Sequence, residues 1–163
     1  VNDKNKMVHL FSTRFNDITW EENVNYRKKH NIKCIYGTPL EFPPRICIDA
    51  NIFVLEMNNS KNKIEGIGLI RNRPSLDKYY KIYKEGNYNR YIYKSNYYLN
   101  RDQLLILNCD LVRIFDYILF KEKTHLKRGS GFTTISENLL NHSICENKNI
   151  KRILSDLFIQ YYS

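Results

Sequence analysis

The chain has 163 residues, 42% of them hydrophobic, and 26 Lys plus Arg against 17 Asp plus Glu for a net charge of +9. That apolar content supplies a core and excludes a disordered chain, despite a mean hydropathy of −0.55. The length fits a single domain over 1–163, with a core over about 7–135 and a helical extension over 136–163.

The positive balance favours a polyanionic partner. Lysine also accumulates with Asn, Ile and Tyr in AT-rich genomes, so Arg71, Arg73, Arg90, Arg101, Arg113, Arg128 and Arg152 weigh more than the lysine count. Cys34, Cys47, Cys109 and Cys145 are far apart and form no C-x-x-C pair, which argues against a zinc site or a disulfide framework. The opening Val1-Asn2-Asp3-Lys4-Asn5-Lys6 lacks the apolar core of a secretory signal, and no apolar run reaches membrane-spanning length. The expected setting is intracellular, cytoplasmic or nuclear, with no membrane partner and with oligomerisation left open.

Met7 to Phe15 suits a first strand. Thr19 with Glu22 has capping-box spacing and predicts a helix from Trp20 to about His30. Lys33 to Tyr36 reads as a second strand, stopped by Gly37-Thr38-Pro39, and Phe42-Pro43-Pro44 as a stiff loop. A hairpin follows: Ile52 to Met57, a polar turn over Asn58 to Lys63, and Ile64 to Ile70. Period two places Ile64, Gly66, Gly68 and Ile70 on one face, with a bare stripe at the glycines where something large must approach.

Tyr79 to Tyr83 and Tyr88 to Tyr93 read as two strands turning at Gly86, and Tyr97 to Leu99 as an edge. A helix begins at Asn100 or Asp102 and carries Leu104, Leu105, Leu107, Leu111, Ile114, Phe115 and Ile118, with a kink near Cys109. After a basic loop over Lys121 to Gly131, a run over Phe132 to Ile135 and a short helix capped by Ser136, the last helix spans Asn149 to about Tyr161. The order predicts an α+β domain: a small curved antiparallel sheet or open β-barrel packed by helices, with C-terminal helices.

Two stretches carry binding chemistry. Thr124 to Gly131 concentrates His125, Lys127, Arg128 and Ser130 around two glycines, a composition that cradles anions without being a Walker A sequence. Arg71 to Arg101 interleaves tyrosines with Lys and Arg, which suits stacking on unpaired bases while cations hold the backbone; Tyr88, Arg90 and Tyr91 are its candidates. Only half of these tyrosines can face a ligand, and the rest belong to the core. A third candidate is a base pocket at Trp20, with Ser12 and Asn58 beside the glycine stripe.

Phe11-Ser12, Trp20 opening a helix, Phe53-Val54-Leu55 and Ile64-Glu65-Gly66-Ile67-Gly68 resemble the PUA-like superfamily, including its EVE and YTH branches, over roughly 7–70. The resemblance implies a small barrel flanked by helices that binds a modified or flipped base in RNA or DNA, with Ser12, Trp20 and Asn58 near its pocket. Glu56-Met57-Asn58-Asn59, Tyr88-Asn89-Arg90-Tyr91 and Thr124-His125-Leu126-Lys127-Arg128-Gly129 resemble a protein of large nucleocytoplasmic DNA viruses, which implies a viral source and an infected host cell but names no activity.

His9, His30, His125 and His142 show no metal-ligand spacing, and no catalytic residue, metal or cofactor is assigned. The leading expectation is a non-catalytic nucleic-acid-binding module. The alternatives are a metal-dependent nuclease using Asp49, Glu56 and Glu65, or a structural, protein-interaction role.

Overall fold

The structure is a computed structural model that describes residues 8–121 and 126–163. Its elements are β1 (Val8–Phe15), α1 (Asp17–His30), β2 (Cys34–Thr38), β3 (Asn51–Asn58), β4 (Lys63–Arg71), β5 (Tyr91–Ser95), β6 (Tyr97–Asn100), α2 (Arg101–Phe120), β7 (Thr133–Thr134), α3 (Glu137–Leu140) and α4 (Ile150–Tyr162). Single 3-10 turns occupy Gly86–Asn89 and Ser143–Cys145. Among the described residues no helix is long and apolar enough to cross a membrane.

The class is α+β, but the expected curved antiparallel sheet or open barrel is not formed. Five strands make an open sheet in the order β6-β4-β3-β1-β7, and β2 pairs with β5 in a separate two-stranded sheet; neither is closed or strongly curled. The reason lies in the crossover after β1. The chain leaves through α1 and β2 and returns as β3 parallel to β1, so β2 is carried out of the main sheet into a second layer. Closure is also denied at the ends, since β7 is two residues long and β6 runs directly into α2.

Each face of the main sheet has its own core. Leu10, Phe53, Leu55 and Met57 face α2 and α4, where they meet Leu111, Phe115, Leu154 and Phe158. Phe11, Phe15, Ile52 and Val54 face the other way, onto Cys34, Ile35, Tyr36, Tyr80 and Tyr93. The alternation within β1 and β3 is that of a sheet buried on both sides.

The glycine stripe is filled by aromatic side chains. A methyl at Gly66 would lie 2.2 Å from the Tyr98 hydroxyl, and one at Gly68 would lie 2.3 Å from that of Tyr36. Ile64 does not share this face. A bulge between Glu56 and Met57 opposes Glu56 to Gly66 and Met57 to Ile64, which moves Ile64 into the helical core.

Two local expectations change, and the expected kink in α2 is located. α1 starts three residues earlier than Trp20, because Asn16 is its cap: the Asn16 side chain accepts from Thr19 N–H, and the Thr19 hydroxyl accepts from Asn16 N–H. The tyrosine-rich stretch is not a hairpin. The Asn89 carboxamide accepts from the N–H groups of Ile82 and Tyr83 and donates to the Tyr83 carbonyl, standing in for a partner strand. Helix α2 breaks at Asn108 (φ −163°, ψ 83°), whose side chain caps the second half through Leu111 N–H. The break shifts the apolar phase and leaves Leu105, Ile106 and Leu107 exposed.

α4 docks by the expected stripe, with Ile150, Leu154 and Phe158 buried. Near its end the Tyr162 hydroxyl accepts from Tyr98 N–H at 2.8 Å and donates to the Tyr98 carbonyl at 2.6 Å, on edge strand β6.

Candidate nucleic-acid interface

The loop after residue 125 is organised by Arg14 of β1. Its Nε donates to the Gly129 carbonyl at 3.2 Å, Nη1 to the Leu126 carbonyl at 3.1 Å and to Thr133 Oγ1 at 2.9 Å, and Nη2 to the Gly131 carbonyl at 2.7 Å. In a planar trans peptide the next N–H points opposite to the carbonyl. The N–H groups of Lys127 and Ser130 are therefore turned away from Arg14. Gly129 (φ 88°) and Gly131 (φ 71°) supply the left-handed backbone that this path requires. Burial pushes the Arg14 pKa down, an effect opposed by the Tyr88 oxygen nearby.

The turn between β3 and β4 clasps the same loop. Asn59 donates from its backbone to the Phe15 carbonyl at 2.7 Å and from its side chain to the Lys127 carbonyl at 3.0 Å. Lys127 Nζ reaches Asn62 Oδ1 at 2.6 Å.

Between this loop and the Gly86–Asn89 turn lies a cavity of about 310 Å³. Thr13, Arg14, Asn16, Thr19 and Asn59 line it from the β1 side, Lys127, Gly129, Ser130 and Gly131 from the loop, and Gly37, Tyr83, Glu85 and Tyr88 from the opposite side. Tyr88 is half-buried. The arrangement brings a tyrosine, two cationic side chains and the two loop glycines around a volume at the lower end of the small-molecule range.

The sequence candidates thus separate. Tyr88, Lys127 and Ser130 come together on one cavity, with Arg128 exposed beside Lys127. Arg90 lies outside the lining; its guanidinium sits 5.3 Å from the Tyr91 ring. His125 lies outside the described residues. Asn16 and Asn59, which the sequence sets beside the Trp20 pocket, line this cavity instead; Arg14, Thr19 and Glu85 also line it and were not read from sequence as ligand-facing. An arginine in a strand and polar residues in turns carry no pattern that separates them from solvated surface.

Ser12, Trp20 and Asn58 line neither this cavity nor the groove described below. Ser12 is buried, with its hydroxyl 3.5 Å from the Thr133 carbonyl. The buried Asn58 side chain donates to Glu65 and accepts from the N–H groups of Ser60 and Lys61, which builds the hairpin turn. Trp20 packs edge-on against Phe15, and its ring lies 5.2 Å from the Arg27 guanidinium. That guanidinium is also 5.6 Å from the Tyr36 ring and 4.8 Å from the Tyr98 ring. The cation enclosed by these aromatic rings is one of the chain's own.

The three carboxylates weighed for a nuclease do not converge. Asp49 is exposed and held in a fork by Arg73 at 2.7 Å. Glu56 is fully buried and accepts from Arg27 at 2.6 Å, Tyr36 at 2.7 Å and Tyr98 at 2.6 Å. Asp49 lies before the first residue of β3, Asn51, and Glu56 stands roughly 16 Å further along the strand at ~3.3 Å per residue. Among the described residues no group of three His, Cys, Asp or Glu side chains has metal-binding proximity.

A larger groove of about 1190 Å³ runs between α4 and the sheet, with Val8, Phe53, Leu69 and Phe158 along its apolar side and His9, Lys151 and Arg152 at its polar side. Comparison of the chain with protein-family models, curated proteins and solved structures finds no match.

Proposed function

We propose that the protein binds nucleic acid and holds one unpaired nucleotide in the cavity between Tyr88 and the Lys127–Gly131 loop. One observation carries the reading: Tyr88, Lys127 and Ser130, from two stretches well separated in the chain, line the same cavity. A base stacks on the ring, and the phosphate that follows meets Lys127, Arg128 and the Ser130 N–H. The net charge of +9 supports the encounter without defining the site. The strand is single, or carries a base flipped out of a duplex, since a paired base has no exposed face for Tyr88. Such a partner implies an intracellular setting, cytoplasmic or nuclear.

The test is fluorescence anisotropy of labelled single- and double-stranded RNA and DNA across a salt series, with wild type, Lys127→Ala/Arg128→Ala and Tyr88→Ala. Salt-sensitive binding by wild type, weakened in both variants, is expected. Wild-type binding that is absent, or that neither variant changes, overturns the reading.

A further inference from the structure

We infer that the cavity selects guanine among the bases, an inference that rests on the nucleic-acid reading above. Among the described residues that line the cavity, Glu85 is the one carboxylate, and the other charged ones are the cations Arg14 and Lys127. Glu85 and Tyr88 belong to one turn, in which Tyr88 N–H donates to the Glu85 carbonyl at 3.1 Å, and both residues line the cavity. A base laid on Tyr88 shares the cavity with this acid.

An ionised carboxylate accepts hydrogen bonds and donates none. Guanine presents two adjacent donors, N1–H and the 2-amino group, which a carboxylate receives as a charge-assisted pair. Adenine and cytosine set a ring-nitrogen acceptor next to their amino group, so one carboxylate oxygen faces a lone pair. Uracil and thymine flank a single N–H with two carbonyls. Guanine alone matches Glu85 with both oxygens. On the same edge the acceptor O6 needs a donor. Asn16, whose side-chain oxygen is engaged by Thr19 N–H at 2.8 Å, supplies an NH₂ group from the lining.

The experiment measures binding to labelled uridine tracts that carry one central guanine, adenine, cytosine or inosine. The guanine tract is expected to bind on the order of tenfold tighter than the adenine and cytosine tracts. Inosine, which lacks the 2-amino donor, loses most of that gain. Glu85→Gln abolishes the preference and keeps the salt-sensitive binding common to all tracts. Glu85 is exposed, so the variant's fold is checked by an unchanged melting curve. Guanosine monophosphate is the competitor that separates a free nucleotide from a strand: displacement only far above the tract's own concentration supports the strand, and displacement at equal concentration overturns it. Equal affinity for all four tracts, or a guanine preference that survives Glu85→Gln, overturns the inference and leaves the nucleic-acid reading intact. Absence of wild-type binding to every tract overturns both.

Discussion

Arg27 Nη2 lies 2.6 Å from Glu56 Oε2 in the second core, where the two side chains are 8% and 0% exposed. Burial alone lowers the Arg27 pKa; the Glu56 carboxylate and the oxygens of Tyr36 and Tyr98 more than reverse this, and the net direction is up. The same carboxylate raises the pKa of both tyrosines, on top of the larger effect of burial. This polar knot lies on the glycine face of the sheet, where Gly66 and Gly68 admit the Tyr98 and Tyr36 rings.

Removing one member strands a buried charge. Arg27→Met or Glu56→Met alone is expected to cost about 3–5 kcal/mol, and the double replacement to recover most of that loss. Urea unfolding of the three variants checks it; strictly additive losses would show that the pair does not act as a unit.

At the cavity, Tyr88→Ala should weaken single-strand binding by about 1–3 kcal/mol, while Tyr88→Phe keeps the stacking face and most of the affinity. Lys127→Ala should lower the slope of log affinity against log salt by ~0.7 for a single-stranded ligand. Titrations at three or more salt concentrations separate the two effects, because loss of stacking leaves the slope unchanged.

The thiols divide by burial. Cys47 and Cys109 are exposed, whereas Cys34 and Cys145 are buried. Burial pushes the Cys34 thiol up to about 12 and raises that of Cys145 as well. A chromogenic disulfide reagent should label Cys47 and Cys109 quickly in the native protein, and the other two only after denaturant is added. Rapid native labelling of Cys34, located by peptide mapping, contradicts the packing of β2 against β4.

His9, at the polar side of the larger groove, has its pKa lowered from 6.5 by burial first, then by Lys151 and Arg45. The unfolded chain takes up this proton more readily than the folded one. Stability therefore falls as pH is lowered through about 6.5 and levels off below the folded pKa; above 6.5 the group has no effect. His9→Gln should flatten that part of the stability–pH curve. An unchanged acid limb, measured by thermal melts between neutral and mildly acidic pH, removes His9 from the account.

Local pattern made several elements legible. The hairpin and the stripe of α4 followed from alternation and period, a kink in α2 was expected near its observed place, and the stripe at Gly66 and Gly68 called for large neighbours. Pairing across layers was not legible. Alternation says which residues of β1 and β2 are buried, but not that β2 leaves the sheet to join β5. The fully buried residues of α1 are Asn23 and Arg27; of the face with Trp20, Val24 and the Arg27 stem that the sequence suggests, Arg27 alone is among them. Asn89 read as a strand residue because nothing local indicates that a side chain will take the place of a strand. For the cavity, the residue types at Tyr88 and Lys127–Ser130 were informative, but their meeting depends on Arg14 drawing the loop to β1. Four hydrogen bonds from one guanidinium to a distant segment leave no local trace.

The Tyr162–Tyr98 contact bears on how copies of the protein behave toward one another. An open sheet has two borders, and a border strand offers bare peptide groups to any extended chain that drifts against it. On β6, both peptide groups of Tyr98 are already taken by one phenol. A newcomer would have to evict the last turn of α4 before it could align. Tyr162→Phe deletes the plug and keeps the ring, so it converts a guarded border into an adhesive one. Slow, concentration-dependent assembly of that variant, with native-like melting at low concentration, is the signature to look for.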